Sequence, residues 1–284
     1  MNYNQITVGI VSFRSENVIF NCLKSIKKIK NIIIFDNSND INLKYKIKKK
    51  YPKVKIYLSK KNLGYGVANN KIIKKSKTPF VFILSPDVIL RRNCEKNLLK
   101  GAKLLKKNFA IISAIPDIKD YIFLKNKKKI KDKFFEVDYV HGFSMLINKT
   151  KIKKIGMFDK NIFLYYEEVD LYKRIKLANQ KVYIIKDAKV THLAAKSTNI
   201  GYEFDKCRNW HFMWSQVYFA KKYSNNLLVY IRYLSFLFIQ LFKFFYYILL
   251  FNKKEIVNKK MKFSGTLNSL LGRSSWYRPR FDSD

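Results

Sequence analysis

Cysteine is nearly missing from this chain. Cys22, Cys94 and Cys207 are the three in 284 residues; odd in number and far apart, they exclude a disulfide framework and offer no CxxC metal pair. A reducing compartment suits such a chain. Carboxylates are also scarce, 20 Asp and Glu against 58 Lys and Arg, for a formal net charge of +38. Arginine is sparse and no nucleic-acid-binding motif appears, while the lysines are scattered over every segment. With Ile, Asn, Phe and Tyr abundant too, this is the bias an AT-rich coding sequence produces. The charge implies a general attraction to anionic surfaces rather than a specific nucleic-acid partner. The stretch Met1–Gln5 carries no basic leader, long apolar run or small-residue cleavage site, which predicts a chain that is not exported.

What is present alternates. Ile6 to Phe13 is β-branched and reads as a strand; Glu16 to Ile29 has helical apolar spacing, with Ser15 as its N-cap. Asn31 to Phe35, Lys53 to Leu58 and Phe80 to Leu84 read as further strands, and Gly66 to Lys75 as a second helix. This rhythm predicts βαβ units and a mostly parallel sheet, on which ligands sit beyond the carboxyl ends of the strands. Phe13-Arg14, Asp36 and Ser85-Pro86-Asp87 fall there. Lys125 to Lys133 reads as an exposed, solvated loop. Patterning resumes over Phe134 to Ile147, interrupted by His141-Gly142-Phe143, where Gly142 admits a ligand or backbone closely, or marks a plain bulge.

The last third differs. Asn209 to Tyr223 is aromatic and polar, and Leu227 to Phe251 is apolar except chiefly for Arg232, Gln240 and Lys243, with lysines on both sides. Its length suffices to span a bilayer, its flanks suit a helix lying in an anionic interface, and burial against the domain is the third reading. Gly272 to Pro279 is too irregular to interpret.

The stretch from Phe163 to Arg174 sets Glu167, Glu168 and Asp170 beside Tyr165-Tyr166, with His192 further on. Acids clustered beside aromatics read as a site. As alternatives, the acids serve a helix's first turn, with Asp170 pairing Arg174 at i+4, and the tyrosines fill core.

Taken together, Val11-Ser12-Phe13, Asp36-Asn37-Ser38, Asn62 through Gly64 to Asn70, Ser85-Pro86-Asp87, and Gly156-Met157-Phe158-Asp159 through Glu168 to His192 resemble the family 2 glycosyltransferases, within them the bacterial rhamnosyltransferase-like branch. The resemblance runs from about Ile6 to Thr198. It implies a GT-A fold, a Rossmann-like mixed sheet flanked by helices, over residues 1–205, with 206–284 as a helical, membrane-associating appendage. It further implies inverting transfer of a sugar from a nucleotide-diphosphate donor to a glycan or polyprenyl-diphosphate-linked acceptor, at the cytoplasmic face of the membrane.

By the same resemblance Asp36 accepts from a pyrimidine base, its alternative being an Asx-turn. Asn62, Gly64 and Asn70 face the donor's ribose and diphosphate, and Phe13, Gly142 and Glu167 are further substrate-binding residues. Asp87, the last acid of a DxD-like motif whose first position is Ser85, and His192 hold a divalent cation, Mg or Mn. Glu168 is the general base, with Glu167 and Asp170 as rivals, and stands where the family has Asp. The alternatives are a nucleotide-sugar binder without turnover and a basic protein that binds nucleic acid or membrane surfaces through its lysines.

Overall fold

The computed structural model describes residues 1–116, 128–131, 134–193 and 201–278. The apolar runs become strands, with β1 (Ile6–Ser12) and β4 (Phe80–Leu84) buried along their whole length and β2 (Asn31–Asp36) and the edge strand β3 (Lys55–Leu58) buried in part, and they pair in parallel in the order β3-β2-β1-β4. Helices α1 (Glu16–Ser25), α2 (Ile41–Lys50) and α3 (Tyr65–Lys75) make the crossovers. Beyond β4 the sheet turns mixed. β5 (Val88–Leu90) and α4 (Cys94–Leu104) lead to β6 (Ile111–Pro116), β7 (Lys128–Lys131), β8 (Phe134–Val137) and β9 (Ser144–Asn148). β9 lies antiparallel between β4 and β6, and β10 (Val182–His192) runs parallel to β6 but antiparallel to β5 and β8. The sheet is therefore mixed across its width and parallel only at the β3-β2-β1-β4 end and between β6 and β10.

Two expectations change. Ser15 does precede α1, but its hydroxyl turns back to the Phe13 carbonyl at 3.1 Å instead of capping the helix. Lys128–Lys131, expected as loop, pairs with β8; the rest of the lysine run from 125 to 133 lies outside the described residues.

The chain divides into two compact units, residues 1–158 with 171–198, and 159–170 with 199–284. In the first, buried side chains line both faces of the sheet, Ile10, Phe82 and Leu146 on one, Ile72, Ile83 and Met145 on the other. Buried Glu95 of α4 accepts the amide N–H groups of Lys27, Lys28 and Ile29 at 3.0–3.2 Å, so one carboxylate closes the turn from α1 into β2. After β9 come α5 (Lys149–Ile155) and α6 (Glu167–Leu177), the latter carrying the division between the units. Arg174 donates to the carbonyls of Ile155, Gly156 and Met157 at the end of α5.

In the second unit α7 (Tyr202–Tyr223), α8 (Asn226–Leu249) and α9 (Lys253–Leu270) pack around Met213, Val217, Val229, Tyr233, Leu237 and Leu270. Gly265 is where α9 meets α7: a Cβ there would stand 2.3 Å from the Trp210 carbonyl oxygen. The uninterpreted tail docks on α7 and α9. Trp214 Nε1 donates to the Arg273 carbonyl, Trp276 Nε1 to Asn268 Oδ1, and buried His211 meets Ser275 Oγ and the Tyr277 carbonyl. Burial pushes the His211 pKa down to about 3, so the ring is neutral and serves as a polar peg in an aromatic cluster.

Candidate active site

In the first unit the sequence-predicted residues gather at the carboxyl ends of β1, β2 and β4. Ser12 and Asp36 are register partners. Asp36 is fully buried and its carboxylate accepts the amides of Ser38 and Asp40 and the Ser38 hydroxyl, at 2.8–3.1 Å. That is an Asx-turn, and it fixes the loop leaving β2. Burial raises the Asp36 pKa against these hydrogen bonds, which lower it. Asn37 ties this loop to the next one: its amide donates to the Gly64 carbonyl and accepts from the Leu63 amide, both at 3.3 Å. Asn62 Oδ1 in turn accepts from Gly64 N at 2.9 Å. Gly64, at φ 80°, is the N-cap of α3, a backbone conformation a side chain would strain. The N-terminus of α3 opens here, favourable to phosphate.

Two of the predicted residues have occupied polar groups. Asn70 is bonded at both ends of its amide, donating to the Phe158 carbonyl and accepting from the Phe158 amide. The Gly142 carbonyl accepts from Tyr65 Oη at 2.7 Å. Phe13 is half-buried and directly follows Ser12, the last residue of β1.

Asp87 and His192 are brought together by backbone pairing. The β5–β10 ladder sets His192 opposite Val88, and Leu193 N donates to the Asp87 carbonyl. His192 Nε2 then lies 3.5 Å from Asp87 Oδ2, with Asp87 only 2 % exposed. Neither carboxylate oxygen of Asp87 has a hydrogen-bond donor. A buried carboxylate without donors leaves its oxygens unsatisfied, and a cation is the ligand that would satisfy it. One hard oxygen donor and one imidazole fit Mg or Mn, whose remaining positions can come from phosphate and water. Among the described residues no group of three or more His, Cys, Asp or Glu is placed to hold a metal alone. The ring of Phe143 stacks on His192 at 4.5 Å and on His141 at 5.8 Å, a wall beside the pair.

In the second unit the acids sit at the start of α6. Tyr165 and Tyr166, at φ 64° and 67°, are both left-handed immediately before Glu167, a conformation costing about 1–2 kcal/mol per residue. Such strain persists where surrounding contacts over-determine it. Glu167 is buried with Oε2 unpaired, and burial, then the charge of Glu168, pushes its pKa well above the carboxylate range. Glu168, half-buried, is also raised by burial. Asp170 is fully buried and receives Lys222 Nζ at 2.6 Å and Tyr223 Oη at 2.8 Å.

The sequence profile described as glycosyl transferase family 2 matches residues 7–170, more than half of the chain. The chain belongs to that family. This glycosyltransferase is 25 % identical over 221 residues to rhamnosyltransferase WbbL of Escherichia coli K12, covering 67 % of this chain and 82 % of WbbL. It is 22 % identical over 195 residues to the low-salt glycan biosynthesis hexosyltransferase Agl10 of Haloferax volcanii, covering 62 % and 63 %. Its fold is similar to that of the mannosyltransferase PcManGT of Pyrobaculum calidifontis, solved with GDP-Man and Mn2+, at TM-score 0.60 and 11 % identity over 94 % of this chain and 87 % of that one. GalNAc-T7, solved with UDP, GalNAc and Mn2+, gives TM-score 0.55 at 15 % identity, over 66 % of this chain but 43 % of the other. The fold is GT-A, and a nucleotide-sugar donor and a glycan acceptor follow from the family.

The residues that sequence reading missed lie on α7, outside the matched segment. They hold the glycosyltransferase's acidic loop from behind. Lys222 joins Asp159 at 2.8 Å as well as Asp170, Tyr218 Oη donates to Asp159, and Ser215 Oγ donates to the Leu164 carbonyl. Arg208 Nε donates to Tyr165 Oη at 2.7 Å, Phe212 stands edge-on to both tyrosines, and Phe219 packs on Tyr166. Burial pulls the Lys222 pKa down, yet its bonds to Asp159 and Asp170 outweigh that and raise it; burial likewise opposes, and Lys222 overcomes, in lowering Asp159. The tyrosines, read as part of a site or as core, are thus engaged by α7. The only available signal was the aromatic spacing of Asn209 to Tyr223, which names no partner.

Proposed function

We propose that this enzyme transfers a sugar, with dTDP-rhamnose the first donor to try, onto a lipid-linked glycan at the cytoplasmic face of a membrane, with inversion and with a divalent cation. The observation that carries the chemistry is the buried, donor-less Asp87 carboxylate beside His192. Those two residues would hold the cation, which when bound supplies positive charge against the donor diphosphate. Asp36, held rigid by its own loop, keeps the cradle for the base in shape, and Asn37, Asn62 and Gly64 set the α3 N-terminus toward phosphate.

Glu168 takes the proton of the acceptor hydroxyl as that oxygen bonds to the anomeric carbon and the nucleoside diphosphate leaves with the electrons of the broken bond. Of the two adjacent acids, Glu167 is the more deeply buried, with Oε2 unpaired, while Glu168 is half-buried, which favours Glu168 as the carboxylate that meets the acceptor. The raised pKa makes that carboxylate a stronger base than a solvated one. Residues 1–205 form the transferase domain in this reading and 206–284 its membrane-associating part.

The test is binding and slow hydrolysis of a panel of nucleotide sugars with Mn, Mg or chelator. Asp87→Ala is expected to weaken donor binding and abolish its metal dependence. Glu168→Gln should leave donor affinity within about twofold and lower kcat about 10²–10⁴-fold, the usual worth of a positioned general base. Donor binding with no turnover in the parent, with any acceptor glycan, would favour the non-catalytic alternative that Ser85 and Glu168 suggest.

A further inference from the structure

The apolar helix α8 has one face with no partner in its unit. Its inner stripe, Val229, Tyr233, Leu237 and Gln240, is buried against α7 and α9. The opposite stripe, Ile231, Leu234, Phe238, Phe242, Phe245 and Leu249, follows the same helical period and stands 41–77 % exposed across its members and their neighbour Ile248. Exposed apolar surface on that scale marks an interaction site in a soluble chain. The two charges inside the segment do not interrupt this face. Arg232 and Lys243 are roughly three helical turns apart, so both fall on one flank, between the outer and inner stripes.

Helix α9 decides how the face is used. Tyr230 Oη donates to the Leu270 carbonyl near one end of α8, and Lys259 Nζ lies 5.2 Å over the Tyr247 ring near the other, so the two helices run side by side in opposite directions. If α8 crossed a bilayer, α9 would return along it, carrying Lys259, Lys260 and Lys262 with Lys243 toward the hydrocarbon at a few kcal/mol for each charge held there, while Lys253 and Lys254 would have to cross to the far headgroups. The lysines before α8 are already engaged, Lys221 with the Ser269 and Leu270 carbonyls and Lys222 with Asp159 and Asp170. Of those after it, Lys259 pairs with Glu255 at 2.7 Å, while Lys253, Lys254 and Lys260 are exposed in the first half of α9.

We infer that α8 lies in the plane of one leaflet of an anionic membrane, its outer stripe among the acyl chains and the lysines of α9 with Lys243 on lipid phosphates, without spanning. Acidic lipid is the occupant that matches an apolar stripe bordered by cations on one side. This deepens the membrane-face part of the proposed function and is independent of its chemistry: vesicle binding with no donor turnover would leave it standing.

The full chain should be tested by flotation with phosphatidylcholine vesicles with and without about a third phosphatidylglycerol, a level at which basic amphipathic segments respond to charge. Binding is expected with the acidic vesicles, at least tenfold weaker in Phe238→Ser/Phe242→Ser and several-fold weaker in Lys253→Gln/Lys254→Gln/Lys260→Gln. All five positions are exposed, and thermal melts of the variants check that they fold. Single Phe238→Cys, Phe242→Cys and Leu249→Cys variants carrying a fluorophore should report similar shallow depths by lipid-borne quenchers. Depths running from one headgroup region through the bilayer centre to the other would establish a span and overturn the inference. So would equal binding by the Phe238→Ser/Phe242→Ser variant, or a lipid-free dimer in which the Phe238→Cys label is already buried, which would assign the face to a second copy.

Discussion

Glu167 is a carboxylate with one oxygen unpaired in a buried site, next to a second acid. Its pKa lies well above the usual range because of burial first and Glu168 second. The folded state therefore holds this proton more tightly than the unfolded chain. Stability from the group is fully present below about pH 4.3, the unfolded value, and is lost as pH rises through the raised folded value. Glu167→Gln, neutral at every pH, should thus melt above the parent at pH 8 by a few degrees, at roughly 2–4 °C per kcal/mol for a chain of this size, and the gap should close toward pH 4. Melts across that range check it, and a lower or pH-independent Tm difference would count against the assigned burial cost. That an acid pair stood here was legible in the sequence; that Glu167 is the more deeply buried of the two was not, because neighbours on one helix turn differ only by what packs over them. The Asp87–His192 pair was legible through motif spacing, although the cause of their meeting, the β5–β10 ladder, has no local signature.

Elements with dense apolar patterns were the legible ones. The strands from Ile6, Asn31 and Phe80 came out within a residue or two, since β-branched runs bounded by turns leave little choice. Helix α2 was not anticipated: among its lysines only Leu43 and Ile47 are buried, too few to show a period. Helix α9, with six polar or charged residues among its first eight, was hidden in the same way. Helix α9 also depends on a position that composition cannot flag, Gly265, which lets the helix touch the backbone of α7. Because a Cβ would collide with a carbonyl oxygen and not with the movable end of a side chain, Gly265→Ala must push the helices apart. A loss of about 1–3 kcal/mol is expected, as for other overpacked contacts, read as a lower denaturant midpoint at unchanged slope. An unchanged midpoint would mean that the two helices are not held at this separation. Since α7 also carries the groups that hold Tyr165 and Tyr166 in their left-handed conformation, kcat should fall further in this variant than the small unfolded fraction explains.

At the scale of the whole molecule the dominant quantity is charge, +38 formally. Scattered along the chain and not confined to one segment, it creates attraction to any polyanion, and the question is whether that attraction reads anything. Contacts with phosphate made by dispersed lysines release counterions, so affinity falls steeply and linearly in log salt, while carrying no sequence preference. Above physiological salt, where the Debye length is below about 8 Å, such binding to duplex DNA should be lost. The donor binding proposed at Asp87 and His192 would be short-ranged and at a largely buried pair, so the same salt is expected to change it little. Fluorescence anisotropy with two unrelated DNA duplexes, from 50 mM to about 500 mM salt, separates these. The expected result is equal, salt-abolished affinity for both duplexes, identical in Asp87→Ala, beside donor binding that persists in high salt and fails in that variant. Salt-resistant preference for one duplex would mean that the lysines form a reading surface and would restore the nucleic-acid function that their scattered placement argues against.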